Sequence, residues 1–191
     1  MRSKDYSKID LVFRAGLKLI VKEGIAGLTM SKLAKQAGIA TGTLYIYFKS
    51  KEELLNKLYD KLQAESKQRF MKGYDPDEPF RTGLKRVWLN YLKHRIEHYE
   101  ESVFLEQYYR SPFITAEQKQ VAESMKQPVK ELIQRGKDEK LVKKDFDNEM
   151  LFLALLGFIR ELADEHVTNV YILNEENTEK AFRLAWDTIK L

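Results

Sequence analysis

The sequence contains no cysteine, which excludes disulfides, thiolate metal sites and cysteine nucleophiles. Its three histidines and four prolines leave little material for metal sites or proline-rich segments. The longest apolar run, residues 150–159, has ten residues, whereas a membrane span needs about 20. The first ten residues include no apolar stretch, so we expect no secretory signal and no membrane partner. A cytoplasmic protein is therefore expected.

Basic residues are concentrated in the first part of the chain. Residues 1–72 hold 15 lysines and arginines against 7 acids, a net charge of +8, whereas residues 73–191 hold 18 against 22, a net charge of −4. The total length of 191 residues suits one domain or two small ones. The asymmetry suggests a polyanionic partner for the N-terminal part alone, although most charged faces are merely solvated.

Hydrophobic spacing indicates helices throughout, and no segment alternates convincingly with the period of two that marks a strand. We therefore predict an all-α fold of about nine helices, with Pro128 kinking or splitting the seventh. The predicted helices span about residues 8–23, 29–38, 41–48, 50–71, 78–99, 101–110, 115–138, 148–167 and 178–190.

Two short helices within residues 29–48 have the arrangement of a helix-turn-helix. Thr29 suits the N-cap of the first, and Gly38 supplies the left-handed backbone that a tight turn requires. Small residues at the start of the second helix permit close approach to a major groove about 12 Å wide. These features and the charge asymmetry support a helix-turn-helix about as well as a plain helical corner with a solvated lysine face.

The stretch GLTMSKLAKQAGIATGTLYIYFKSKEELL resembles the DNA-binding domain of the TetR/AcrR family of bacterial transcriptional regulators, and the similarity covers residues 9–60. It implies a sequence-specific, double-stranded DNA-binding regulator, expected to be a repressor without catalytic activity, cofactor or metal. A small effector would release the homodimer from a palindromic operator. The resemblance places Thr41, Gly42, Tyr45 and Ile46 at base edges or the groove wall, and Thr29, Thr43, Tyr47 and Lys51 at phosphates.

One position departs from the family pattern. The family usually has serine or threonine at the start of the recognition helix, and this chain has Ala40. Alanine cannot cap a helix or offer a hydroxyl to a phosphate. The expected substitute is Thr41, whose base contact is then in doubt.

The resemblance also implies a division into a DNA-binding domain, residues 1–52, and an effector-binding and dimerisation domain, residues 53–191. The helix at residues 148–167 is apolar around most of its circumference, so it needs cover on several sides. A two-fold four-helix interface with the last helix would supply that cover, and the alternative is that both form the core of one subunit. The residues expected at the dimer interface are Leu155, Phe158, Ile159, Leu162, Phe182, Ala185, Trp186 and Ile189.

Aromatic side chains crowd residues 78–109, with a few polar groups among them. Such stripes are usually plain core, but a cavity ringed by aromatics also suits a small-molecule site. An apolar or aromatic effector fits this lining. The residues expected to touch it are Trp88, Tyr91, Arg95, Phe104, Gln107 and Tyr108.

Two other functions are compatible with parts of the sequence. His94–His98 spells H-x-x-E-H, the signature of inverzincin zinc peptidases, although a polar turn near a helix end explains five letters more simply. The other alternative is a helical carrier or sensor of hydrophobic molecules, in which DNA binding is weak and blind to sequence.

Overall fold

The computed structural model describes the backbone of residues 2–191 and the side chains of residues 7–66 and 69–191. This part of the chain forms nine helices, which confirms the predicted all-α fold, and its β-type pairing is limited to an isolated bridge between Val142 and Lys190. The helices are α1 (Arg2–Gly27), α2 (Met30–Gln36), α3 (Thr41–Tyr47), α4 (Lys51–Phe70), α5 (Phe80–Glu97), α6 (Tyr99–Tyr109), α7 (Ala116–Asp138), α8 (Asn148–Val167) and α9 (Glu175–Ile189).

Side-chain caps explain where the last two helices begin. The Asp147 carboxylate accepts the Met150 N–H at 2.7 Å, and the Asn174 side chain accepts the Asn177 N–H at 2.8 Å. Each cap satisfies a donor that the first turn of a helix leaves unpaired. The Asn174 cap starts α9 ahead of the predicted residue 178.

Two predictions concern the continuity of helices. The backbone leaves helical geometry at Gly24 (φ 73°, ψ 167°), which confirms the predicted end at residue 23, and a short helical stretch then continues α1 to Gly27. Of the two outcomes predicted for Pro128, the split does not occur, because α7 is continuous on both sides of it. Buried Val129 and Ile133 anchor the turn after the proline, so α7 tolerates the loss of one backbone donor.

The first of two compact units contains the helix-turn-helix. It ends at Ala64 and is completed by Glu100–Gln120. Its core joins α1–α4 to α6 through residues that include Leu44, Leu55 and Phe104. The start of α4 and most of α6 therefore pack with the helix-turn-helix, while the functional division at residues 52 and 53 stays a prediction.

The second unit consists of Glu65–Tyr99 and Val121–Leu191. Its core joins α5, α7, α8 and α9, with Trp88, Ile159 and Phe182 among the buried side chains. Within the part of the chain that the structure describes, no helix combines the length and the apolar character that crossing a membrane requires.

Candidate nucleic-acid interface

The turn between α2 and α3 has the geometry that the sequence predicts. The Thr29 hydroxyl oxygen accepts the Lys32 N–H at 3.2 Å, which caps α2. After α2, Gly38 adopts φ 67°, and the Ile39 N–H donates to the Ala34 carbonyl at 3.0 Å. A left-handed glycine closed by this backbone bond is a common helix ending, and it turns the chain directly into α3.

Helix α3 is anchored on one side only. Leu44 and Phe48 are buried, and the Phe48 ring lies 5.7 Å from that of Phe13 on α1. On the other side, Tyr45 is 50% exposed and Ile46 is 80% exposed. The core thus fixes α3 while its outer face carries two large side chains directed to solvent.

The remaining predicted base contacts lie beside this face. Gly42 is exposed, and a Cβ at this position would meet nothing within 4 Å. The chain's own packing therefore does not require glycine here, so a ligand that approaches closely would be a separate reason for it. Thr41 and Thr43 are half-buried, as is Tyr47, which also packs against the core.

The start of α3 resolves the question that Ala40 raised. Ala40 is the N-cap, with φ −67° and ψ 142°, and no side-chain hydrogen bond caps the helix. Thr41 is the first helical residue and its side chain does not cap α3. The expectation that Thr41 caps the helix in place of residue 40 is therefore wrong. The Thr41 side chain remains beside the outer face.

Lys51 is engaged within the protein. Its Nζ donates to the Ile25 carbonyl at 2.6 Å and lies 5.7 Å from the centroid of the Phe113 ring. Partial burial lowers the pKa of the Lys51 ammonium, because desolvation penalises the charged form. The predicted phosphate contact thus competes with a structural role for this side chain.

The exposed cations near the helix-turn-helix differ in their surroundings. Lys32 forms an ion pair with Glu23 at 2.6 Å and also donates to the Gly27 carbonyl at 3.3 Å. Lys35 and Lys49 are exposed at the ends of α2 and α3. Both lysines lie close in sequence to the predicted DNA contacts. They are therefore two additional candidates for binding phosphates.

Two predicted effector residues form hydrogen bonds with other parts of the first unit. The Gln107 Oε1 accepts the Ile25 N–H at 2.9 Å. The Tyr108 hydroxyl forms hydrogen bonds with Asn56 and with the Phe113 carbonyl. Sequence reasoning missed these contacts, since nothing local relates α6 to α1 and α4.

The six predicted effector residues are not brought together as one lining. Phe104, Gln107 and Tyr108 belong to the first unit, whereas Trp88, Tyr91 and Arg95 belong to the second. Trp88, Arg95, Phe104 and Tyr108 are buried, and Tyr91 and Gln107 are half-buried.

An aromatic cluster surrounds Tyr91 in the second unit. The Phe70 ring lies 5.0 Å from the rings of both Tyr91 and His94, and His94 stacks on His98 at 5.1 Å. Burial lowers the pKa of His94 to about 4, with the neighbouring His98 as a smaller cause. The Nδ1 atom of His94 and the Oγ atom of Ser66 are buried without a hydrogen-bond partner among the described residues.

Two residues of the H-x-x-E-H motif differ in their burial. His94 is buried, whereas Glu97 is exposed and lies 3.7 Å from Lys93. Among the described residues, no group of three or more histidine, aspartate or glutamate side chains is placed to hold a metal ion.

An open groove on the second unit has a different character. Its volume is about 670 Å³, and none of the six predicted effector residues lines it. The lining is strongly charged and consists of Arg81, Thr82, Lys85, Glu176, Glu179, Lys180, Phe182 and Arg183.

The predicted dimer interface needs correction, because most of it is core. Five of the eight side chains are buried within the chain and have no surface to offer a partner in this conformation. They are Leu155, Ile159, Phe182, Ala185 and Ile189. Phe158, Leu162 and Trp186 are half-buried. The alternative considered for α8 and α9, the core of one subunit, holds for these five positions.

Exposed apolar side chains also lie on α8 and α9. Leu153 is 58% exposed on α8, and Leu184 is 61% exposed on α9. Ala154 is exposed beside Leu153, and a Cβ at Gly157 would meet nothing within 4 Å. The eight residues predicted for the dimer interface include neither Ala154 nor Gly157.

Comparisons with known proteins agree with a helix-turn-helix followed by a helical C-terminal part. The profile of the bacterial regulatory proteins of the tetR family matches residues 12–58, and that of the tetracyclin repressor-like C-terminal domain matches residues 79–190. A helix-turn-helix transcriptional regulator of Haemophilus influenzae is 34% identical over 90 residues, which are 47% of this chain and 48% of that protein. The chain thus spans about half the length of the curated relatives it matches first.

Solved structures match over the whole chain. A TetR family regulator of Marinobacter aquaeolei has a TM-score of 0.84 at 25% identity and covers 100% of this chain and 99% of its own. A TetR-family regulator of Haemophilus influenzae has a TM-score of 0.75 at 26% identity and covers 100% of both chains. The chain therefore belongs to the TetR family of bacterial regulatory proteins, which bind DNA through a helix-turn-helix and form dimers.

Proposed function

We propose that this protein is a transcriptional repressor that binds a palindromic operator as a homodimer and leaves it when a small molecule binds the C-terminal domain. It acts in the bacterial cytoplasm and catalyses no reaction. The observation that carries the proposal is the outer face of α3, where Tyr45 and Ile46 are exposed on a helix that the core holds from behind.

The chemistry of this face suits a major groove. Ile46 offers methyl groups that can contact the C5-methyl of thymine, and Tyr45 offers a hydroxyl for base edges. Ile46 is 80% exposed next to the exposed Tyr45, so the two side chains together offer apolar surface that a partner can cover. Gly42 and Thr41 lie toward the start of the same helix and leave room for close approach.

Phosphate contacts would hold α3 in register. Thr29 uses its oxygen to cap α2, so its hydroxyl proton remains available to donate to a phosphate. Thr43, Tyr47, Lys35 and Lys49 supply further donors around α3. Such contacts carry affinity and orientation but little sequence information.

The test separates base reading from phosphate binding on a duplex that the protein prefers. Tyr45→Ala and Ile46→Ala should each reduce the preference for that duplex by about 1–3 kcal/mol, whereas Lys49→Ala should weaken all duplexes alike and lower the salt slope by about one. Val121→Ala, at a similarly exposed position on α7, is the matched control. Equal sequence preference in all four variants would refute the proposed interface. It would favour a carrier of hydrophobic molecules that binds DNA only through phosphates.

The dimer is proposed to form through the exposed face of α8 and α9. Leu153 and Leu184 would be buried by the partner, and the small residues Ala154 and Gly157 would let two α8 helices approach closely. A two-fold axis buries the same patch on both copies, as an isologous interface requires. It also pairs two recognition helices for half-sites about 34 Å apart.

The effector is proposed to be apolar or aromatic with a hydrogen-bonding group, and to bind at the cluster of Phe70, Tyr91 and His94. Two buried atoms, His94 Nδ1 and Ser66 Oγ, have no hydrogen-bond partner among the described side chains, which supports this assignment. Buried polar atoms usually have partners, and a few polar anchors in an aromatic lining suit a small-molecule site.

Aromatic alcohols and fatty acids of medium chain length are suitable probes of the effector proposal. A compound that raises the melting temperature of the wild type and releases the preferred duplex should lose both effects in His94→Phe. Thr82→Val, in the charged groove, should retain both effects. The opposite pattern would place the effector in the groove and contradict the apolar class.

A further inference from the structure

The backbone N–H and the backbone carbonyl of Ile25 are each bound by a distant side chain. At Gly24 the backbone leaves helical geometry, so the Ile25 N–H cannot continue the hydrogen bonding of α1. The Gln107 Oε1 accepts this N–H at 2.9 Å from a position 82 residues away. On the other side, the Lys51 Nζ donates to the Ile25 carbonyl at 2.6 Å.

These contacts lie immediately before the helix-turn-helix. Ile25 is buried and stands four residues ahead of Thr29, the cap of α2. Water therefore cannot easily replace a lost partner of the Ile25 N–H. A change at Gln107 would alter how the chain leaves α1, and with it the direction in which α2 and α3 are presented.

We infer that Gln107 is a positioning residue for DNA recognition, which fixes the helix-turn-helix through the Ile25 N–H without touching DNA. The inference rests on the proposed function and adds to it a specific contact from α6. Lys51, at the start of α4, donates to the Ile25 carbonyl, and the Phe113 ring lies beside the Lys51 ammonium. Gln107 therefore acts as an acceptor within the first unit and not as an effector ligand.

The distinguishing experiment compares Gln107→Leu with Gln107→Glu. Leucine keeps the size but removes the acceptor, whereas glutamate keeps an oxygen that can accept the Ile25 N–H. Gln107→Leu should bind the duplex selected by the wild type about tenfold more weakly, the effect of losing one buried hydrogen bond, with unchanged binding to a random duplex. Hydrogen exchange in peptides that contain Ile25 should accelerate, and Gln107→Glu should restore both properties.

The controls separate this inference from the proposed function. Gln120→Leu, an equivalent change at an exposed position of α7, should leave both readouts unchanged. Wild-type exchange and affinity in Gln107→Leu, or a failure of Gln107→Glu to restore them, would overturn the inference. If Gln107→Leu does not fold, Gln107→Asn, which shortens the reach of the acceptor, replaces it.

Loss of sequence preference in Tyr45→Ala together with full preference in Gln107→Leu would refute the positioning role alone. Absence of preference in the wild type would refute the proposed function itself.

Discussion

The buried guanidinium of Arg95 on α5 lies 3.1 Å from the carboxylate of Asp164 on α8. The pair connects two neighbouring helices of the second unit, so Arg95, which the sequence predicted to touch an effector, has a structural partner within the protein. A buried charge that loses its partner is costly, because the remaining ion is poorly solvated.

We expect Asp164→Ala to lower the free energy of unfolding by about 1–3 kcal/mol, less than for a fully buried pair because the aspartate is partly exposed. Chemical denaturation measures this loss. Glu161→Ala is the control, since Glu161 is exposed on the same helix and pairs with Arg160 at the surface. A loss of similar size in both variants would contradict a special role for Arg95–Asp164.

Ala40→Ser should stabilise the protein. Ala40 already has the extended backbone of an N-cap, and α3 lacks a side-chain cap, so a serine oxygen can accept an unpaired N–H of the first turn. The expected gain in unfolding free energy is about 1 kcal/mol. Ala40→Val, which keeps the extended backbone but offers no acceptor, should give no such gain. If valine stabilises as much as serine, capping is not the cause.

Leu153→Glu and Leu184→Glu should each convert the dimer to monomers in sedimentation equilibrium. Both side chains are exposed in the single chain, so the substitutions leave the core intact while placing charge in the proposed interface. Operator affinity should fall by about 100-fold or more, since binding through two linked sites is lost. Leu141→Glu, at another exposed leucine, should remain dimeric. Wild-type assembly in both interface variants would require a different dimer surface.

The stability of the protein should fall with acidification in a way that depends on His94. Its pKa is lowered from 6.5 to about 4 in the folded state, chiefly by burial, so the unfolded chain binds the proton more tightly. The contribution is fully present above pH 6.5 and is lost as pH falls toward 4, by up to about 3 kcal/mol. Denaturation at pH 7.5 and 5 should show a smaller pH effect in His94→Phe than in the wild type. Equal slopes would show that His94 is accessible to protons in the folded protein.

The sequence predicted the parts of the fold that depend on local chemistry. Thr29 and Gly38 fix the ends of α2 by their own hydrogen bonding and backbone geometry, so they could be read from spacing alone. The exposure of Tyr45 and Ile46 follows from the same short-range pattern once Leu44 and Phe48 are assigned to the core.

Long-range contacts were beyond that reasoning. Five of the eight residues predicted for the dimer interface lie in the core, because an α8 that is apolar all round gives no sign of which side meets α5 and which meets solvent. The hydrogen bond between Gln107 and Ile25 joins residues 82 positions apart, and only the fold relates them. An aromatic stripe likewise looks the same whether it lines a ligand site or, like Trp88 and Phe104, packs in a core.

Selection of bound sites from a random duplex library at near-physiological salt tests the central claim most directly. We expect a palindrome whose half-sites lie about 34 Å apart, or a multiple of that spacing, because paired α3 helices must enter successive major grooves on one side of the duplex. Tyr45→Ala in the same selection should recover a weaker or altered half-site. Recovery of no common sequence, with binding that disappears as salt rises, would contradict a sequence-specific dimer and show that the basic N-terminal part only binds phosphate.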